Sequence, residues 1–165
     1  MRRAARGCLF ALGLGCLGAG SRPAEALTVN CTVTAGSINF GIYNPLAGVG
    51  DASTGALRVV CTGNGGGSTN VTVGVSLTAG SSGNYAMRTM QSGANKLGYN
   101  IYWDPQHTVV MGDGTGGSYS GAAGPITIIN GRSIQATGTM YGFVQPGQDV
   151  GAGSYIDLIT VTITY

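Results

Sequence analysis

Ile159-Thr160-Val161-Thr162-Ile163-Thr164-Tyr165 alternates apolar and hydroxyl-bearing residues with a period of two. Only a strand sends successive side chains to opposite faces, so the run reads as a half-buried β-strand with Ile159, Val161 and Ile163 turned inward. The pattern recurs upstream. Val71, Val73, Val75 and Leu77 alternate with Thr72, Gly74 and Ser76, and Leu97, Tyr99, Ile101 and Trp103 share one parity. Less regular strands are expected over 32–40, 56–61, 125–129 and 134–144. Glycine-rich stretches at 63–67, 79–83 and 112–121 lie between them and supply the positive φ angles of turns. No window repeats apolar residues at i, i+3, i+4 and i+7 over three turns. The expected class is all-β, one antiparallel sandwich, with a closed barrel as the alternative.

Composition narrows the reading. The chain has 165 residues, 31 of them glycine, with 43% hydrophobic and 8% charged. That length suits one domain with a substantial core. Glycine lacks the every-third-residue period of collagen, and the apolar content argues against disorder. A formal net charge of +2 leaves no basic stripe for nucleic acid.

Residues 1–26 read as a secretory signal. Arg2, Arg3 and Arg6 precede an apolar run over 8–20, and Ala24-Glu25-Ala26 fits small-x-small cleavage. The run is shorter than the ~20 residues of a membrane span. A lipoprotein signal at Cys16 is the alternative, but Gly13-Leu14-Gly15-Cys16 lacks a leucine three places before the cysteine. The expected domain is 27–165. It keeps four cations and five carboxylates, and a surface with so few charges suits packing against copies or relatives of itself. Cys31 and Cys61 remain as one pair and read as a disulfide of an exported protein. A thiolate metal site would need more ligands, and the sole histidine is His107.

An ordered set of short pieces resembles the spore coat protein U domain, a family shared with pilins of archaic chaperone–usher pili. The set begins with Cys31-Thr32-Val33, Ile38-Asn39-Phe40-Gly41, Tyr43-Asn44-Pro45-Leu46 and Val60-Cys61-Thr62. It continues through Arg88-Thr89-Met90, Leu97-Gly98-Tyr99-Asn100-Ile101-Tyr102 and Gly112-Asp113-Gly114-Thr115-Gly116-Gly117. Tyr141-Gly142, Pro146-Gly147-Gln148 and Ala152-Gly153-Ser154-Tyr155-Ile156-Asp157 complete it before the final strand. The resemblance implies an incomplete immunoglobulin-like antiparallel β-sandwich, completed by a donated strand. It also implies a periplasmic pilus chaperone, an outer-membrane usher and other pilus subunits as partners, and the cell surface as destination. Ile159, Val161 and Ile163 would then line the strand-acceptor groove. A polymerising pilin carries a donor extension before its first cysteine, whereas only Leu27-Thr28-Val29-Asn30 separates the expected cleavage from Cys31. A tip, terminal or coat subunit is therefore expected, serving adhesion or biofilm formation.

Other chemistry is weakly represented. The chain has no G-x-S-x-G elbow, no phosphate loop and no spaced metal ligands, so neither an enzyme nor a cofactor is expected. Gly112–Gly117 reads as a hairpin turn, and His107 as a surface loop residue. The alternative function is a self-sufficient module that binds a carbohydrate or other surface ligand. Tyr119, among glycines and serines, is its exposed aromatic candidate, while Trp103 and Tyr99 are expected in the core.

Overall fold

The computed structural model describes residues 25–165, so nearly all of the expected signal lies outside the described residues. The eight strands are β1 (Thr28–Ala35), β2 (Asp51–Asn64), β3 (Ser68–Leu77), β4 (Arg88–Ser92), β5 (Asn95–Tyr102), β6 (Gly121–Ile129), β7 (Ser133–Val144) and β8 (Val161–Thr164). They form a five-stranded sheet of order β1-β2-β7-β5-β4 and a three-stranded sheet of order β6-β3-β8. Every pairing between these strands is antiparallel. The only helical turn among the described residues is a 3₁₀ turn at Gly80–Ser82. The fold is an all-β, immunoglobulin-like sandwich.

Alternation fixes the register. Leu57, Val59 and Cys61 of β2 face inward, as do Val73, Val75 and Leu77 of β3, and all six are buried. A one-residue slip would turn this set outward and bring Arg58 and Thr62 of β2, or Thr72 and Gly74 of β3, into the core. Cys31 and Cys61 sit directly opposite each other on β1 and β2 and form a disulfide, with Cα atoms 4.0 Å apart.

β1 stops at Ala35, short of the strand expected over 32–40. Gly36 donates its N–H to Ala56 O at 2.7 Å, and the chain then turns across the inner face. Ile38 and Phe40 pack there over Gly55 and Gly142, where an added Cβ would come within 2.8 Å of Ile38 at either position. Those two glycines let the segment lie flat on the sheet.

Other differences are local. β4 was not expected, because Arg88-Thr89-Met90-Gln91-Ser92 has no alternation. The turn at Gly112–Gly117 lies inside the long connection from β5 in one sheet to β6 in the other, and its flanks meet in a single parallel bridge, Met111 with Tyr119, rather than in a hairpin. His107 is only half-buried but is not a free surface residue. Its ring stacks on Phe143 at 4.6 Å and meets Tyr102 edge-on at 5.2 Å.

Candidate strand-acceptor margin

β1 and β8 are the end strands of their sheets and lie at the same margin of the sandwich. β1 is paired only through β2, and β8 only through β3. Among the described residues, no strand takes up the outer backbone groups of either. β8 engages β3 over Gly74–Leu77 alone, so on that side the edge of β3 continues unpaired towards Ser68.

Side chains at the margin repeat the theme. Leu27, Val29 and Val33 point inward from the β1 side, and Ile159, Val161 and Ile163 from the β8 side. All six pack on the core yet remain half-buried, while Val73 and Leu77 in the middle of the sheet are each 2% exposed. The contrast is that of an interior row against a row lacking one neighbour. The outward residues Thr28, Asn30, Thr32, Thr34, Thr162 and Thr164 are exposed. Neither strand carries a charge, so the edges lack the lysine or glutamate that usually discourages pairing with another chain.

β8 is held in place by a polar anchor just before it. Asp157 Oδ1 accepts from Ser81 N at 2.8 Å, Ser81 Oγ at 2.6 Å and Leu158 N at 2.9 Å. Its Oδ2 accepts from the Tyr99 hydroxyl at 2.8 Å. Burial, reinforced by that carboxylate, pushes the Tyr99 phenol well above its ordinary range. Thr78 and Thr160 then exchange bonds, Thr78 N to Thr160 O at 3.0 Å and Thr160 N to Thr78 Oγ1 at 3.0 Å. Sequence reasoning overlooked Asp157 as a positioning residue, because a single aspartate after a turn carries no local signal.

The expected ligand residue lies elsewhere. Tyr119 is 60% exposed on the connection before β6, where its carbonyl accepts the Trp103 indole N–H at 2.9 Å. Trp103 and Tyr99 both pack as core residues, Tyr99 buried and Trp103 half-buried. Among the described residues, no group of three His, Cys, Asp or Glu side chains is placed to hold a metal, and no helix is long and apolar enough to cross a membrane.

Two antiparallel sheets, each ending in an edge strand at one shared margin, define an immunoglobulin-like sandwich. The family model of the Spore Coat Protein U domain matches residues 22–162. Protein U of Myxococcus xanthus is 31% identical over 149 residues, spanning 85% of this chain and 78% of that protein. The chain belongs to the spore coat protein U domain family. The fold is also similar to a chain in the crystal structure of the CsuC–CsuE chaperone–tip adhesion subunit pre-assembly complex, from the archaic chaperone–usher Csu pili of Acinetobacter baumannii. The TM-score is 0.56 at 20% identity, over 84% of this chain and 40% of that one. This chain therefore spans well under half the length of that solved relative.

Proposed function

We propose that this protein is an exported structural subunit of a chaperone–usher pilus or surface coat, completed by a strand that another protein lends. The observation that carries the reading is the β1/β8 margin, uncharged, unpaired and lined by half-buried apolar residues from both sheets. A strand with alternating apolar side chains would satisfy the free backbone groups and cover Val29, Val33, Val161 and Ile163. β1 and β8 have Cα atoms within 8 Å of each other. A strand between two neighbours needs two spacings, about 9.5 Å, so capture includes parting the two edges where they approach this closely.

In this reading a periplasmic chaperone lends the strand first, and another subunit replaces it at an outer-membrane usher. Membership of the family and the likeness to a subunit bound to its chaperone support those partners. Export would use residues 1–26 as the signal. Thr28 to Ala35 are already paired with β2, so they are not free to serve as a donor strand. That supports a tip, terminal or coat position, with adhesion or biofilm formation as its role. The exposed Tyr119 favours a second reading, a self-sufficient module that binds a carbohydrate or other surface ligand.

Light scattering after size exclusion separates the two, on protein expressed in the periplasm with and without a co-expressed cognate pilus chaperone. A soluble one-to-one complex, formed only with the chaperone, is the expected result. A stable, soluble monomer in the absence of the chaperone would give precedence to the self-sufficient module.

A further inference from the structure

The sandwich has a second opening, at the margin away from β1 and β8. β5 pairs with β7 only over Tyr141–Val144, so β7 from Ser133 to Met140 has a free edge on that side. β6 is the end strand of its own sheet. Between them lies a cleft of about 230 Å³. Its inner wall is Leu57 and Val59 of β2 facing Val73 and Val75 of β3, and half-buried Ile126, Ile134 and Trp103 stand nearer the mouth. Small residues create the space. Gly121, Ala123, Ala136 and Gly138, on the inward parity of β6 and β7, occupy lining positions where a filled core would carry larger side chains. Trp103 does not close it. Its ring lies so near Gly121 that a Cβ there would be 2.4 Å away, and its N–H is held by Tyr119 O at 2.9 Å.

We propose that this cleft is a binding site for a small, uncharged, apolar molecule, between one aromatic ring and a fused two-ring system in size. The lining sets the chemistry. No ionisable residue lines it, Thr137 sits on the outward parity of β7 opposite Arg58, and the Trp103 N–H is already bonded, so a charged ligand would lose its water without gaining a partner. The volume sets the size. An engineered apolar cavity of about 150 Å³ stays dry and takes up benzene. This cleft is half as large again, and its open mouth admits a ligand without unfolding. No residue of β1 or β8 lines it, so occupancy here and a strand at the other margin are compatible.

Trp103 is the only tryptophan in the chain and lines the cleft, so its emission reports occupancy. The probe is iodobenzene, a heavy-atom quencher, titrated into the full exported chain in its soluble form, with benzene as competitor. Saturable one-to-one quenching that benzene reverses is expected. Ala136→Phe on β7 and Ala123→Leu on β6, each opposite a buried valine, Val59 and Val73, fill the cleft from opposite walls and should weaken binding by about tenfold or more. Far-UV circular dichroism verifies that each variant is folded. Quenching that rises linearly without saturating, in the unmodified protein, overturns the proposal whether or not either variant folds. So does saturable quenching that both folded variants leave unchanged. Val161→Asp, at the far margin, should not alter the isotherm, which keeps this test separate from strand capture. Loss of the isotherm in that variant alone would place iodobenzene at the β1/β8 margin and overturn the assignment.

Discussion

Tyr99 donates its hydroxyl to Asp157 Oδ2 at 2.8 Å, tying β5 of the larger sheet to the segment that leads into β8 of the smaller one. The phenol is buried and held neutral, first by desolvation and then by the adjacent carboxylate. Its folded pKa is therefore raised above the ordinary 10, while the unfolded chain ionises near that value. The bond's contribution is present in full below about pH 10 and declines above it, at up to about 1.4 kcal/mol per pH unit. Tyr99→Phe should cost about 1.5–3 kcal/mol at neutral pH, the range for a hydrogen bond to a charged group. The gap between variant and parent should shrink as pH rises from 10 to 11.5. Urea midpoints across that range test it, and a constant gap would show that the phenol does not titrate differently in the two states.

Arg88 is fully buried, and its hydrogen-bond partners are carbonyl and amide oxygens rather than carboxylates. Nη1 donates to Asn100 Oδ1 at 2.6 Å, and Nη2 to Met111 O at 2.7 Å and Thr78 O at 2.9 Å. The Tyr85 ring lies 5.1 Å from the guanidinium carbon. Desolvation lowers the Arg88 pKa, yet the side chain remains the hub that joins β4, β5 and two loops. Arg88→Ala strands the Thr78 and Met111 carbonyls and leaves Asn100 Oδ1 with Ile101 N alone, and should destabilise by about 3–5 kcal/mol. Arg88→Met combined with Asn100→Leu should cost less than the sum of the single changes, because it removes both ends of the bond. Additive urea-unfolding energies would contradict the coupling.

The Cys31–Cys61 disulfide closes a 30-residue separation between directly opposed strand positions. Chain entropy gives it roughly 3–4 kcal/mol. The paired change Cys31→Ser with Cys61→Ser should lower the urea midpoint accordingly. It should also reduce chaperone capture at 37 °C, because β1 forms one wall of the open margin. Unchanged stability under both oxidising and reducing conditions would mean that the cross-link contributes nothing.

Legibility in the sequence followed alternation. The inward set of β3 and the parity of Ile159, Val161 and Ile163 were readable because threonine and glycine interrupt the apolar residues at every second place. β4 was not, since its strand state comes from Arg88 and from pairing with β5 rather than from any pattern of its own. The end of β1 was misjudged for a related reason. Ile38 and Phe40 keep the strand parity but reach the core by crossing Gly55 and Gly142, a contact between segments distant in sequence. The second cleft was equally hidden, because isolated alanines and glycines in separate strands reveal a void only when assembled.

Val161 and Thr162 are adjacent on β8 and face opposite ways, Val161 half-buried against the core and Thr162 exposed. They offer a matched pair for testing the acceptor margin. Val161→Asp sets a carboxylate where a donated strand would place apolar side chains, and desolvating an unpaired charge costs several kcal/mol. Capture by the chaperone should be abolished. Thr162→Asp adds the same charge to the same strand on its solvated face, so it should leave capture within about twofold, as surface changes of up to about 0.5 kcal/mol do. Co-purification of each variant with tagged chaperone reads the difference. Equal loss in both would point to a general defect of β8 rather than to a groove. Equal retention would mean that the donated strand does not lie against Val161, and the acceptor site would have to be sought away from the β1/β8 margin.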